Sequence, residues 1–187
     1  TTLAGTDLTL ADTVDGAQSL TLNSSGTTTL GGAVGGTTAL TSVTTNAAGD
    51  TTVNASEIAT SGAQTYNDAV TLGVDSTFTG GNLTFVDSLS GASQKATMNG
   101  NDITVDAVTL DEWKVDASGS LAQTAAASVN TIDLSVDGGI DLTNASNQIK
   151  TIKGLISDNG IQLRDSANGL NVDGKVTASG KDVLLRT

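Results

Sequence analysis

A short unit, made of an apolar residue, a small polar residue and a second apolar residue, recurs along the whole chain. A period of two places both apolar side chains on one face of an extended strand and the middle side chain on the opposite face. The pattern therefore predicts strands of about three to five residues, each with one buried face. The units are Leu8–Leu10, Leu20–Leu22, Val70–Leu72, Leu83–Phe85, Ile103–Val105, Val108–Leu110, Ile132–Leu134, Ile140–Leu142, Ile161–Leu163, Leu170–Val172 and Val176–Ala178.

Turn-forming pairs separate these units, among them Asp15-Gly16, Asn99-Gly100, Asn168-Gly169 and Asp173-Gly174. The spacing between units, about 8 to 13 residues, would also suit an antiparallel sandwich. Three features favour a parallel β-helix: the strands are shorter, proline is absent, and the inward residues are nearly all aliphatic. We expect Asn and Asp side chains at the turns to bond to backbone groups and to their counterparts in adjacent coils.

The pattern as a whole predicts an all-β protein, a β-solenoid of about eight or nine coils with roughly 20 to 22 residues in each. At about 4.8 Å per coil, the rod would be about 40 Å long. Residues 1–187 are interpreted as a single β-solenoid segment. Solenoids normally carry polar caps at their ends. Because none is recognisable here, we interpret the segment as cut from a longer repeat protein, with an ordinary domain whose caps escape recognition as the alternative.

The side-chain inventory excludes several kinds of chemistry. The chain has no Cys and no His, so it can form no disulfide and no zinc–cysteine or iron–sulfur site, and no histidine can act as a base or a metal ligand. With 20 acidic and 8 basic residues, a net charge of −12 and few aromatic side chains, it does not suit nucleic acid. No apolar run approaches the roughly 20 residues of a membrane helix, so we do not expect it to span a membrane.

Charge is distributed unevenly along the chain. Residues 1–94 hold eight acidic and no basic residues, whereas residues 95–187 hold twelve acidic and all eight basic residues. A domain boundary near Gly91 would explain the change. We favour gradual drift within one solenoid.

Several stretches resemble the repeats of a known group of proteins. The stretch Gly62–Phe85 is similar in its repeat style to filamentous-haemagglutinin-like bacterial surface proteins, and so are the shorter stretches Ala4–Leu10 and Ala48–Val53. The resemblance implies a right-handed parallel β-helix. It also implies a long secreted rod, exported by two-partner secretion through a dedicated outer-membrane protein and used for adhesion, aggregation or toxin delivery.

Parallel β-helices also include polysaccharide hydrolases and lyases, so catalytic residues must be considered. The nearest counterpart of the hydrolases' Asn-Thr-Asp is Asn130-Thr131-Ile132-Asp133, which has an extra residue, and the paired Asp and the His of that group are absent. We therefore predict no catalytic residue, no cofactor and no enzyme activity. The densest acidic groups are interpreted as solvated faces and not as calcium sites; these groups are Asp102, Asp106, Asp111 and Glu112, and Asp133, Asp137 and Asp141.

Trp113 interrupts the alternation that ends at Leu110. An exposed tryptophan would be the best single candidate for a ligand contact. The alternative, which we favour, is a core residue at the corner of a coil. Ice binding would require flat arrays of Thr-x-Thr pairs; each strand offers one outward Thr, and Thr77-Phe78-Thr79 is the clear exception.

These observations predict a structural shaft segment of a large secreted or surface-displayed bacterial adhesin, located outside the cell. It would mediate adhesion or aggregation by presenting binding sites on a stiff rod. Its expected partners are surfaces or glycans of host or neighbouring cells. The first alternative is a filament subunit that stacks end to end through unpaired strand edges. The second is a carbohydrate- or ice-binding solenoid.

Overall fold

The computed structural model describes residues 1–166 and 169–187, and these residues form strands and connecting turns with no helix. No helix capable of crossing a membrane is therefore present in the described part of the chain. The strands in chain order are β1 (Thr2–Gly5), β2 (Leu8–Leu10), β3 (Ser19–Ser24), β4 (Thr27–Leu30), β5 (Ser42–Thr45), β6 (Asp50–Val53), β7 (Glu57–Ala59), β8 (Gln64–Tyr66), β9 (Ala69–Leu72), β10 (Ser76–Thr79), β11 (Leu83–Phe85), β12 (Leu89–Gly100), β13 (Ile103–Val105), β14 (Val108–Ala117), β15 (Leu121–Gln123), β16 (Ala127–Val136), β17 (Ile140–Leu142), β18 (Gln148–Ser157), β19 (Ile161–Arg164), β20 (Asn171–Ala178) and β21 (Val183–Arg186).

Every strand pairs in parallel with strands one turn before or after it in the chain. The pairing partners are 18 residues apart at Ile103 and Leu121 and 23 apart at Leu20 and Val43. A parallel pairing repeated at nearly constant offset winds the chain into a β-solenoid of about nine turns. The predicted fold class and number of coils are thereby confirmed.

Each coil has three faces. Face 1 is the ten-stranded sheet β1-β3-β5-β8-β11-β13-β15-β17-β19-β21. Face 2 contains β2, β4, β6 and β9 and the first halves of β12, β14, β16 and β18. Face 3 contains β7, β10, β20 and the second halves of those long strands. In the first coils it is reduced to the single bridges from Val14 to Val34 and from Val34 to Ile58.

Most of the apolar triplets form strands where the sequence predicts them; the exception is Leu170–Val172, because Leu170 precedes β20 and Val172 is 49% exposed. Leu83–Phe85, Ile103–Val105 and Ile140–Leu142 coincide with β11, β13 and β17, and in each the outer two side chains are buried. The expected strand length is exceeded by β3, with six residues, and β20, with eight, and most of all by β12, β14, β16 and β18, which have ten to twelve residues. In these coils the backbone stays hydrogen-bonded through the corner between faces 2 and 3. The bend therefore shows only as a small irregularity in pairing, such as the shift between Gly91 and Lys95.

The turn predictions have mixed outcomes. Asp15-Gly16 is a turn in which Gly16 has a φ of 125°. Asn99-Gly100 and Asp173-Gly174 lie inside β12 and β20, so turns are wrong there. Gly174 is required for a different reason, because a Cβ at this position would overlap the carbonyl oxygen of Lys153 in the preceding coil. Of the pair Asn168-Gly169, Asn168 lies outside the described residues.

The interior is filled mainly by aliphatic side chains from all three faces. Three of the four aromatic residues cluster in the fourth and fifth coils. The ring centroids of Tyr66 and Phe85 are 4.8 Å apart in a stacked pair, and Phe78 meets Phe85 edge-on at 5.3 Å. All three rings are buried, so aromatic packing fills the core of these two coils.

Asn side chains connect successive coils at the corners. The side-chain amide of Asn46 accepts from the backbone N–H of Ser24 at 2.8 Å and donates to its carbonyl at 2.7 Å. One coil further along the chain, the side-chain amide of Asn67 donates to the carbonyl of Thr45 in the coil before it. Asn147 is fully buried and exchanges two hydrogen bonds with the amide of Gln123. The expected bonding of Asn between coils is confirmed at these corners.

Candidate binding surfaces

Face 1 carries an unbroken file of threonines on its outer surface. Successive strands pair these residues directly, one in each of six consecutive coils. Neighbouring strands are about 4.8 Å apart, so the hydroxyls recur at that spacing along the rod axis. The file consists of Thr2, Thr21, Thr44, Thr65, Thr84 and Thr104.

A second file of hydroxyl residues runs along face 2. The Thr71 and Ser90 oxygens within it are 3.2 Å apart, so the side chains can bond along the file. Its members are Thr9, Thr29, Thr52, Thr71, Ser90, Thr109 and Ser128. Sequence reasoning identified one outward Thr per strand but not their alignment, because alignment depends on the number of residues in every intervening turn.

A buried carboxylate lies inside the third and fourth coils. Asp68 is 3% exposed. Its two oxygens accept hydrogen bonds from the hydroxyls of Thr45 and Thr51, at 2.5 and 2.7 Å. Thr28 pairs with Thr51 across the coils, and its buried hydroxyl has no partner among the described atoms. Hydrogen-bonded hydroxyls offset part of the cost of burying this charge.

A buried amide lies beside the aromatic cluster. The Gln64 amide nitrogen donates to the carbonyls of Ile58 and Thr79 at 3.1 and 2.9 Å, and the Gln64 oxygen accepts from the Tyr66 hydroxyl at 3.0 Å. Burial raises the pKa of Tyr66, and the nearby charge of Asp68 raises it further. Tyr66 is therefore a neutral hydrogen-bond donor in the folded protein.

The candidate ligand contact Trp113 lies in the core. The side chain is 0% exposed, and its indole N–H points to the sulfur of Met98 at 3.4 Å. The indole therefore has no exposed surface to offer a ligand, which corrects its assignment as a contact and agrees with the favoured alternative of a core residue. It follows Asp111 and Glu112, at which the chain bends from face 2 to face 3.

The acidic side chains serve mainly as acceptors and ion-pair partners. Asp15 accepts from the backbone N–H groups of Thr38 and Thr37, which lower its pKa. The backbone N–H and the hydroxyl of Ser120 donate to Asp102 and lower the pKa of that carboxyl. Across residues 1–166 and 169–187, no group of three or more acidic side chains is arranged to hold a metal ion.

The basic side chains fall into two groups. Lys95 and Lys153 both contact Glu112, with N–O distances of 2.9 and 3.7 Å. Lys114 lies 3.4 Å from Asp133, and Lys150 donates to Asn130 at 2.6 Å. Within the described ranges, the four bases of the last two coils make no ion pair and no side-chain hydrogen bond; these are Arg164, Lys175, Lys181 and Arg186.

Two open cavities lie along β19 and β21 near the last coils. The first, of about 820 Å³, is lined by apolar residues of β15, β17, β19 and β21 and by polar residues that include Asp141, Gln162, Lys181 and Asp182. The second, of about 660 Å³, is lined by Arg164 and Arg186 together with Asp165, Ser166 and Leu185. Arg164 follows Gln162 by two residues on the same strand, so both side chains are on the outer surface of face 1.

Comparison with protein-family models, with curated protein sequences and with solved structures finds no match to this chain. The function is therefore inferred from the fold and from the surfaces described above.

Proposed function

We propose that this chain is a structural shaft segment of a large secreted or surface-displayed bacterial adhesin. The observation that carries the proposal is the continuity of the solenoid. Face 1 pairs in parallel from β1 to β21, and a single apolar core runs inside it. About nine turns at about 4.8 Å per turn give a rod about 40 Å long.

Stiffness follows from how neighbouring coils are joined. Each coil is bonded to the next by backbone ladders on its faces and by side-chain amides at its corners, such as Asn46 and Asn147. Bending the rod would stretch several of these bonds together. A stiff rod holds a terminal binding site at a fixed distance from the cell, which a flexible linker of the same length does not. The repeat style of Gly62–Phe85 supports the adhesin assignment.

The experiment places this chain between a membrane anchor and a small binding domain on a non-adhesive bacterium. A Gly-Ser linker of about 50 residues, whose root-mean-square end-to-end distance is also about 40 Å, is the matched control in the same position. The rod should support adhesion to a ligand-coated surface through a surrounding polysaccharide layer better than the linker does. Equal adhesion with the rod and with the linker would overturn the proposed spacer role.

A second candidate is end-to-end stacking of copies of this segment into a filament. Within residues 1–166 and 169–187, β1 pairs with β3 and β21 pairs with β19, and neither has a second partner strand. Apolar side chains on them are partly exposed: Leu3 by 37%, Val183 by 41% and Leu185 by 37%. Electron microscopy over a concentration series tests it, since stacking predicts fibres that lengthen with concentration, and a shaft segment predicts short single rods.

A further inference from the structure

The last coils reverse the charge of the rod. Residues 150–187 contain six basic and four acidic side chains, whereas residues 1–94 contain no basic side chain. One of the four acids, Asp165, is buried and accepts from the backbone N–H of Ile149. The surface of this end is therefore basic on an otherwise acidic protein, and it attracts anions locally.

Two arginines lie side by side at this end. Arg164 of β19 and Arg186 of β21 are direct partners in the parallel pairing, and both are exposed. Their backbones are about 4.8 Å apart, the usual spacing of neighbouring strands. Like charges directly opposite each other on adjacent strands are destabilising. Neither guanidinium has an acidic partner within the described ranges, so an anion that binds both would relieve this repulsion.

The surroundings of the pair fit a sugar chain better than an isolated anion. Arg164 and Arg186 line the 660 Å³ cavity, and Gln162 lies two residues before Arg164 in the 820 Å³ cavity. Asp141, Asn159 and Asp182 also line the 820 Å³ cavity. Amide and carboxylate groups bond to sugar hydroxyls, and the planar guanidinium binds carboxylate or sulfate through paired N–H donors.

We propose that the outer surface of β17, β19 and β21 binds an acidic polysaccharide, with Arg164 and Arg186 holding a carboxylate or sulfate group of one sugar. Gln162, Asp141 and Lys181 contact the neighbouring sugars. The site supplies a glycan partner for the proposed adhesive role, but binding itself depends only on these residues. Loss of glycan binding would leave the spacer experiment unaffected, so failures of the two proposals are distinguishable.

The test is calorimetric titration of the full chain, carrying a short Gly-Ser extension after Thr187, with defined oligosaccharides. The probes are a polyuronate oligosaccharide, a sulfated oligosaccharide, a neutral oligosaccharide of equal length and inorganic sulfate. We expect binding of at least one charged oligosaccharide, weakening with added salt, and at least tenfold weaker binding of the neutral one. The two charged probes distinguish carboxylate from sulfate as the group that is held.

Matched variants distinguish binding at a defined site from general attraction of anions to the positive charge of this end of the rod. Arg164→Gln with Arg186→Gln removes two charges in the site, and Lys150→Gln with Lys175→Gln removes two charges from the same basic end of the rod outside both cavities. The first variant should bind the charged oligosaccharide at least tenfold more weakly, and the second within about threefold of the parent. Equal losses in both variants, binding of inorganic sulfate alone, or no binding by the parent would each overturn the proposal.

Discussion

Replacing Gly49 by alanine should destabilise the solenoid through a clash between two coils. Gly49 has a φ of 79°, and a Cβ there would overlap the carbonyl oxygen of Gly26 one coil before. That oxygen also accepts from the N–H of Asp50 at 3.0 Å. Relieving the overlap requires the two corners to separate by about 1 Å, which breaks this hydrogen bond and loosens the packing beside it.

The expected magnitude combines two costs. A left-handed backbone costs a non-glycine residue about 1 to 2 kcal/mol. The lost hydrogen bond and disturbed packing add about 2 kcal/mol, so Gly49→Ala should lower the free energy of unfolding by about 3 to 4 kcal/mol. Urea unfolding followed by circular dichroism measures it.

Gly180→Ala is the matched control, because Gly180 has a φ of 69° and no atom within 4 Å of its Cβ position. Gly180→Ala should lower the free energy of unfolding only by the cost of a left-handed backbone at a non-glycine residue, about 1 to 2 kcal/mol. Amide exchange at both sites separates local fraying of the last coil from global unfolding. Gly35, whose Cβ would overlap the carbonyl of Ala59, should behave like Gly49. Equal losses for Gly49→Ala and Gly180→Ala would refute the stacking of coils at this corner.

Three further predictions concern the core. The pKa of Tyr66 is raised by burial and by Asp68. The folded protein therefore keeps a proton that the unfolded chain loses above pH about 10, and stability should fall by up to about 1.4 kcal/mol per pH unit above that point. Urea unfolding from pH 8.5 to 11 should show this slope in the parent and lose it in Tyr66→Phe; parallel profiles would contradict the burial of the phenol. Trp113 is 0% exposed, so its fluorescence should resist quenching by iodide and stay unchanged when oligosaccharides are added; strong quenching in the folded state would contradict its placement. Phe78→Ala removes a fully buried ring and should cost about 3 to 5 kcal/mol in chemical unfolding, against less than about 1 kcal/mol for the outward Thr84→Ala; similar costs for the two would contradict the assignment of inner and outer positions.

The fold could be predicted because its main signal is local. Each apolar triplet, such as Leu83–Phe85, specifies a strand with one buried face, and the absence of proline favours continuous ladders. Face 3 could not be predicted in the first coils, since it consists there of single bridges at Val14, Val34 and Ile58. One paired residue leaves no alternation to detect.

The buried polar residues escaped prediction for a related reason. Hydrophobic alternation marks inward positions only when the inward residue is apolar. Gln64, Thr51 and Asp68 point inward, where partners from other coils satisfy them. Such partners are 15 or more residues away along the chain in two of these bonds, so no local pattern reveals them.

The outer surfaces depend on coil length. The threonine files and the pair Arg164–Arg186 form only because each intervening turn has the length that brings equivalent residues into register. Turn lengths that place partners between 18 and 23 residues apart are not evident from the strand pattern alone. The sequence therefore predicts which residues face outward but not which of them become neighbours.

The most direct test of the rod is a set of distances along the outer surface of face 1. The chain has no cysteine, so spin labels can be placed by pairs of substitutions, Thr21→Cys with Asp141→Cys and Thr21→Cys with Gln162→Cys. These positions are six and seven pairing steps apart in the register. Double electron–electron resonance should give narrow distributions near about 29 and 34 Å, an increase of about 5 Å for one coil. Broad distributions, or distances that do not increase with the added coil, would contradict a stiff solenoid.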